Sequence, residues 1–374
     1  MKLIGRSTLG LVAAILLATI PATNALAAPS VYPKGVTISE PGVTPGIVMF
    51  GSSDSIWAIN IAGDVIHTLT APPPFENLSF ARPLKNGNIL TKATKGGENP
   101  DTVMELNLAG NPSFQFAQPP GVRLHHDYEK LPNGNYLMLC SKDFLDPAIS
   151  DQTITDDCLM EVTADGTIIW EWQTADHYDD FGFTQDKKDK IFDHGGDWAH
   201  ANSASAIPTN TSHTDPRFRP GNIIVSYRHV NVVAIVDRDT GEIVWTSENL
   251  TIGQHNAHMI PDDKDGGGNI LIFDNGFGGR YNNGGAEVTR HFSRVVEVDP
   301  VTTATVWKYQ AEVTKDFFSH FISSAQRLSN GNTLITEGSW GRIFEINPDL
   351  EIVWEAVIPE GTIYRSYKVS RPMP

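Results

Sequence analysis

The sequence predicts an all-β fold, a single six-bladed β-propeller closed by its own C-terminal strand. Three observations predict it. A turn followed by an apolar, β-branched run returns six times along the chain. Each return leads into a second apolar strand, a polar turn and an apolar or aromatic end, giving about four strands per unit, the size of a propeller blade. Finally, the first unit lacks an opening strand, and the C-terminus supplies a spare one at residues 362–369.

A leader precedes the repeat. Lys2 and Arg6 come before an apolar run over residues 9–20, too short for a membrane span, and Ala25-Leu26-Ala27 reads as a small-residue cleavage site. Residues 1–27 are therefore expected to be a signal peptide and 28–374 the propeller, in an exported protein, periplasmic or extracellular. The formal net charge of −16 argues against nucleic acid and anionic membrane surfaces as partners, since both attract basic patches.

The first unit opens at Gly46-Ile47-Val48-Met49-Phe50. Asn86-Gly87-Asn88 marks the second and Asn133-Gly134-Asn135 the third; Asn-Gly between apolar runs is the strongest short hairpin signal. Gly221-Asn222, Gly268-Asn269 and Asn330-Gly331-Asn332 mark the rest. Four units end at Trp170, Trp245, Trp307 and Trp354, which are expected to fill the gaps between blades. Two insertions, residues 176–196 and 209–220, read as surface loops, the first placed to wall a site. In the third unit Cys140 and Cys158 lie in adjacent apolar runs, and an exported address permits a disulfide between them. The expected closure pairs residues 362–369 with the strand at residues 46–50, which removes exposed sheet edges.

The opening strands carry the chemistry. His126 lies six residues before Pro132, His255 six before Pro261, and Asn202 six before Pro208, with His200 two earlier. Equal positions in successive blades are related by rotation about the axis, so these residues are expected to ring one mouth of the channel. Side chains alternate along a strand, which favours His126 over His125 and His255 over His258, short of a bulge. Arg228 ends an apolar run in the blade that opens with His200; its planar fork suits a tetrahedral oxyanion.

Taken together, Leu124-His125-His126-Asp127, Asp197-Trp198-Ala199-His200-Ala201-Asn202-Ser203, Ser226-Tyr227-Arg228-His229, Gln254-His255, Phe273-Asp274-Asn275-Gly276, Ser293-Arg294 and Tyr364-Arg365 resemble the arylsulfotransferases. The resemblance implies a propeller that moves a sulfuryl group from a phenolic sulfate to a phenolic acceptor, without nucleotide sulfate or other cofactor, through a transiently sulfated histidine. Carried over by motif, His255 is the nucleophile. His200, Arg228 and His126 bind the sulfuryl group and handle the proton, beside Asn202. Tyr227, Phe277 and Tyr364 are expected to stack on the aryl ring, and Arg365 to join the substrate contacts. Neutral imidazole is also a common metal ligand, so a metal-dependent lyase or hydrolase using these histidines with Asp127 and Asn202 stays open. So does a non-catalytic binding propeller.

Overall fold

Short apolar runs broken by Asn-Gly turns bury little surface alone, so each unit folds back as a meander and packs on its neighbours. The computed structural model describes residues 35–370, apart from 53, 97–100, 248–249, 282–288 and 359–360. The expected signal peptide lies outside the described residues.

Six sheets form the ring, antiparallel except where the short strand Gly196–Asp197 adds in parallel to blade 3. Blade 1 holds Ser366–Val369, Ile47–Ser52, Ser55–Ile59 and Val65–Thr70. Blade 2 has a broken inner strand, Asn77–Leu78 and Arg82–Pro83, then Ile89–Thr94, Thr102–Leu106 and Pro112–Ala117. Blade 3 holds Val122–Lys130, Tyr136–Leu145, Thr153–Val162 and Ile168–Gln173. Blade 4 holds Ala201–Ala206, Ile223–Tyr227, Val232–Val236 and Ile243–Thr246. Blade 5 holds His255–Met259, Ile270–Asp274, Arg294–Val298 and Thr305–Tyr309. Blade 6 holds Ser324–Arg327, Thr333–Glu337, Arg342–Ile346 and Ile352–Val357.

Closure is as expected. Ser366–Val369 is the inner strand of blade 1, with Ile47 opposite Val369 and Phe50 opposite Ser366. A second lock was not foreseen: Gly35–Ser39 adds a fifth, outermost strand to blade 6, with Gly35 opposite Val357. Both described ends of the chain are thus tied into sheets on either side of the seam.

The repeat has a polar logic as well as an apolar one. In four units the Asn of the turn donates to a glutamate on the third strand: Asn88 to Glu105, Asn135 to Glu161, Asn269 to Glu297 and Asn332 to Glu345. Each of these carboxylates also takes a cation from the next blade, namely Lys130, Arg238, Arg327 and Lys368. Burial opposes the charge of Glu105, but hydrogen bonds from Lys130, Asn86, Asn88 and Tyr136 outweigh it and bring the carboxyl down to about 2. Arg327 and Glu297 are 6% and 5% exposed. Arg327→Met should therefore strand a buried charge and cost about 3–5 kcal/mol; urea denaturation checks it, and an unchanged midpoint would mean that the bridge adds nothing.

Tryptophans join the blades, with one correction. The indole N–H of Trp245 reaches Pro300 O at 2.8 Å, and that of Trp354 reaches Ile61 O at 2.8 Å, each on the next blade. In blade 3 the equivalent bond, to Gly241 O, comes from Trp172 rather than Trp170. Trp170 instead lies under the Arg238 guanidinium, and Trp307 under Arg327. Apolar clusters fill the same seams; Ile224, Val233 and Ile235 of blade 4 pack on Ala257, Ile270 and Ile272 of blade 5. Each buried Val or Ile among them stabilises the fold by about 1.5–3 kcal/mol.

The 176–196 insertion is not a loop. It folds as a 3-10 turn, Ala175–Phe181, and a helix, Gln185–His194, capped by the Thr184 hydroxyl. Tyr178, Phe181, Phe183 and Ile191 give it an apolar face, buried against Trp198 and Tyr227. The 209–220 insertion is likewise anchored, by fully buried Phe218. Cys140 and Cys158 face each other in register in blade 3 and are bridged, with Cα atoms 4.8 Å apart.

Candidate active site

The inner strands of blades 3 to 6 are interrupted at the same end of the channel. His126, His200 and Asn256 have φ of 55°, 56° and 53°, and Ile322 and Ser323 have 53° and 91°. Strand register slips beside these residues in blades 3, 4 and 5. Left-handed backbone is costly for a β-branched residue such as Ile322, and strain of this kind gathers at functional sites. Its effect is to break the period-two alternation, so neighbouring side chains can turn to one point.

His255 is 3% exposed. Its Nδ1 lies 2.7 Å from Asn275 Oδ1. The Asn275 amide is fixed, because its NH2 group donates to the carbonyls of Ser319 and Ile322. Oδ1 must then accept, so His255 Nδ1 carries the proton and Nε2 keeps its lone pair. Nε2 accepts one hydrogen bond, from Ile322 N–H at 3.2 Å. Burial first, then the nearby Arg228 charge, hold the imidazole well below its ordinary pKa. The ring is thus held in one orientation and one tautomer.

Around it stand the other groups. The His126 and His200 rings meet edge to face at 5.1 Å, and His126 lies 5.9 Å from the Tyr364 ring. Burial, then the His125, His200 and His255 rings, hold His126 well below its usual pKa. His200 donates from Nδ1 to the Asp197 carboxylate and stacks on His229 at 4.5 Å. His229 donates to Asp197 O, and burial pushes it down to about 3. Arg228 Nε is buried without a hydrogen-bond partner among the described residues. Its guanidinium passes so close to Gly278 that a Cβ there would stand 2.2 Å from Nη2, which explains a glycine at that point. Burial and then Arg280 press the Arg228 pKa down, so its charge gains from any anion placed beside it.

The mouth is aromatic. Phe277 lies 6.3 Å from Phe318 and 6.1 Å from His320, whose ring is 4.6 Å from Phe321. Trp340 donates to Phe318 O and is 55% exposed, and Phe277 is 37% exposed, so both offer free ring surface.

Several residues fall elsewhere than expected. Tyr227 does not face the channel; it is fully buried in the seam against Phe181, with its hydroxyl by Thr174. The strand at Ile223–Tyr227 is second in its blade, and this side chain points between blades. Arg365 is 2% exposed and spends its Nη groups on Asp127 and Asn202 O. Both groups are thus engaged within the fold. Tyr364 also donates to Asn202 O, with its ring toward His126. The Asn202 amide binds Gln254 O, and its Oδ1 is buried without a partner. His258 lines a separate cavity of about 240 Å³ with Arg82, Glu129 and Tyr367, at the channel end marked by Pro208 and Pro261. Asp127, bridged to both Arg82 and Arg365, is not free to bind a metal. Among the described residues, Asp197, His200 and His229 bring ligand atoms within 4.8 Å of one another.

Asn275, Asp197 and His229 stand inside the family-like motifs, but their sequence context assigns them no role. The signal was present in Phe273-Asp274-Asn275-Gly276 and Asp197-Trp198; nothing local tells an orienting Asn from a turn Asn.

The family model for Arylsulfotransferase (ASST) matches residues 36–249 and 246–356. No curated protein matches the chain. A protein of unknown function from Bacteroides caccae is similar at 14% identity and a TM-score of 0.57, over 88% of this chain and 100% of that one; this likeness bears on the fold alone. A virginiamycin B lyase from Staphylococcus aureus, seen with quinupristin, reaches 10% identity and a TM-score of 0.46, over 88% and 89% of the two chains. That looser likeness bears on neither fold nor function. The family match spans most of the chain and the motifs gathered at the channel mouth: this protein belongs to the arylsulfotransferase family.

Proposed function

We propose that this protein is an exported aryl-sulfate sulfotransferase that carries the sulfuryl group on Nε2 of His255. The observation that carries the reading is the Asn275 amide, which puts the His255 proton on Nδ1 and leaves Nε2 with its lone pair, held by the Ile322 N–H that an incoming sulfuryl group would displace, near the Arg228 charge. Nucleophilic attack by Nε2 on sulfur breaks the S–O bond of the donor and splits transfer into two displacements, with ping-pong kinetics. Charge on the peripheral oxygens is met by Arg228 and by His200, which Asp197 orients. His126 exchanges the proton with the departing and arriving phenols. Export from a start at Ala28 fits the Cys140–Cys158 bridge, and no described helix is long and apolar enough to cross a membrane.

The deciding assay is transfer from 4-nitrophenyl sulfate to phenol, with and without chelator. Turnover indifferent to chelator supports the reading. Turnover lost to chelator and restored by metal would move the chemistry to Asp197, His200 and His229. Phe277 and Trp340 are assigned to the aryl ring. Trp340→Ala should raise the acceptor KM several-fold and leave kcat nearly unchanged, since one aromatic contact contributes about 0.5–1.5 kcal/mol. Unchanged KM for every phenol tried would remove Trp340 from the substrate path.

A further inference from the structure

Regular strand alternation would turn His125 to the face opposite His126. The left-handed turn at His126 brings the two rings together, with Nδ1 atoms 2.7 Å apart. One nitrogen must therefore donate to the other, and a single proton is shared between two imidazoles. On its other side His125 Nε2 lies 3.4 Å from Asp157 Oδ1. Asp157 is held in place by the Ala201 N–H on Oδ2 at 2.7 Å and is 4% exposed. Other charges near this pair are Arg365, which presses on His126 and is itself bridged to Asp127, Arg123, bound by Asp143, and Asp197, bound by His200.

His126 has two ring nitrogens and two neighbours. Nδ1 faces His125, so Nε2 is the atom left for substrate. Once an aryl group fills the mouth, the channel side of His126 is covered. A proton then enters or leaves that ring through Nδ1.

We propose that His125 is a proton-relay residue, lending a proton through His126 to the leaving phenol and recovering it from the acceptor. The inference rests on the sulfuryl-transfer reading above. In the first half-reaction the donor S–O bond breaks and the S–Nε2 bond to His255 forms. His126 gives its Nε2 proton to the phenolate and takes another at Nδ1 from His125, whose charge Asp157 had balanced. In the second half-reaction the acceptor hydroxyl attacks sulfur, the S–N bond breaks, and the phenolic proton goes to His126 Nε2. The Nδ1 proton returns to His125. No proton is gained or lost over the cycle, and no co-reactant is needed. Asp157 is a positioning residue, acting only through His125.

His125→Asn tests this, because the shorter amide can meet His126 Nδ1 and hold the ring but cannot pass a proton on. Single-turnover rates of donor cleavage, measured without acceptor, are compared for 4-nitrophenyl sulfate, whose leaving group needs no proton, and phenyl sulfate, whose leaving group does. The variant should lose at least about tenfold with phenyl sulfate, within the range of general-acid effects. It should lose less than about twofold with the nitrophenyl ester. In His125→Gly, added imidazole should restore phenyl sulfate turnover. Equal slowing of both donors in a folded His125→Asn protein, or wild-type rates with both, overturns the relay. A wild-type protein that cleaves neither ester overturns the sulfuryl reading itself, and the relay with it.

Discussion

His255→Ala is expected to abolish donor cleavage, by roughly 10⁴-fold or more, as removal of a covalent nucleophile does. The wild-type protein given donor alone should accumulate a sulfated form, and His255→Ala should not. His258→Ala should still form the adduct, because His258 lines the other end of the channel. The substitution also strands Asn275 Oδ1, which costs about 1–3 kcal/mol, so folding is checked by thermal denaturation beside the rate. The imidazole is held neutral by burial and Arg228. Acidifying through the ordinary histidine range should therefore not remove the nucleophile. Wild-type donor turnover in His255→Ala would end the sulfohistidine assignment.

Arg228→Met should lower kcat/KM by about 10²–10³-fold, the effect of removing one preorganised donor from a developing charge. Arg228→Lys should recover little, since a point charge does not replace a fork. Thermal stability should change far less than rate, because Arg228 Nε has no hydrogen-bond partner among the described residues to lose. The sign of a second effect follows from geometry. Arg228 is among the groups pushing the His255 pKa down, so its removal lets that pKa rise. The acid limb of the adduct-formation profile should move to higher pH in Arg228→Met. An unmoved limb with a normal rate would place the guanidinium outside the site.

Much of the fold was legible because a propeller writes one unit many times. The turns and the apolar runs with their aromatic ends recur in the same order from unit to unit, so errors in one unit are corrected by the others. The insertion at 176–196 had no second copy. Its charged residues suggested a loop, while Tyr178, Phe181, Phe183 and Ile191 gave it a buried face. Trp170 and Trp172 both end an apolar run, and only docking on blade 4 separates them.

The sequence by itself determined the blade count, the closing strand, the family and the set of histidines on opening strands. These depend on periodicity and motif, which are local. The tertiary structure alone decided which nitrogen of His255 carries the proton and which keeps the lone pair, why His125 stands with His126, and that His258 serves a different cavity. The partners that fix His255 lie 20 and 67 residues away in sequence, at Asn275 and Ile322. The alternation that would have chosen between neighbours fails where φ turns positive at His126, His200 and Asn256. A strand's face can be counted from sequence while its backbone stays extended; a single left-handed residue resets the count, and that residue is held only by the ring closing around it.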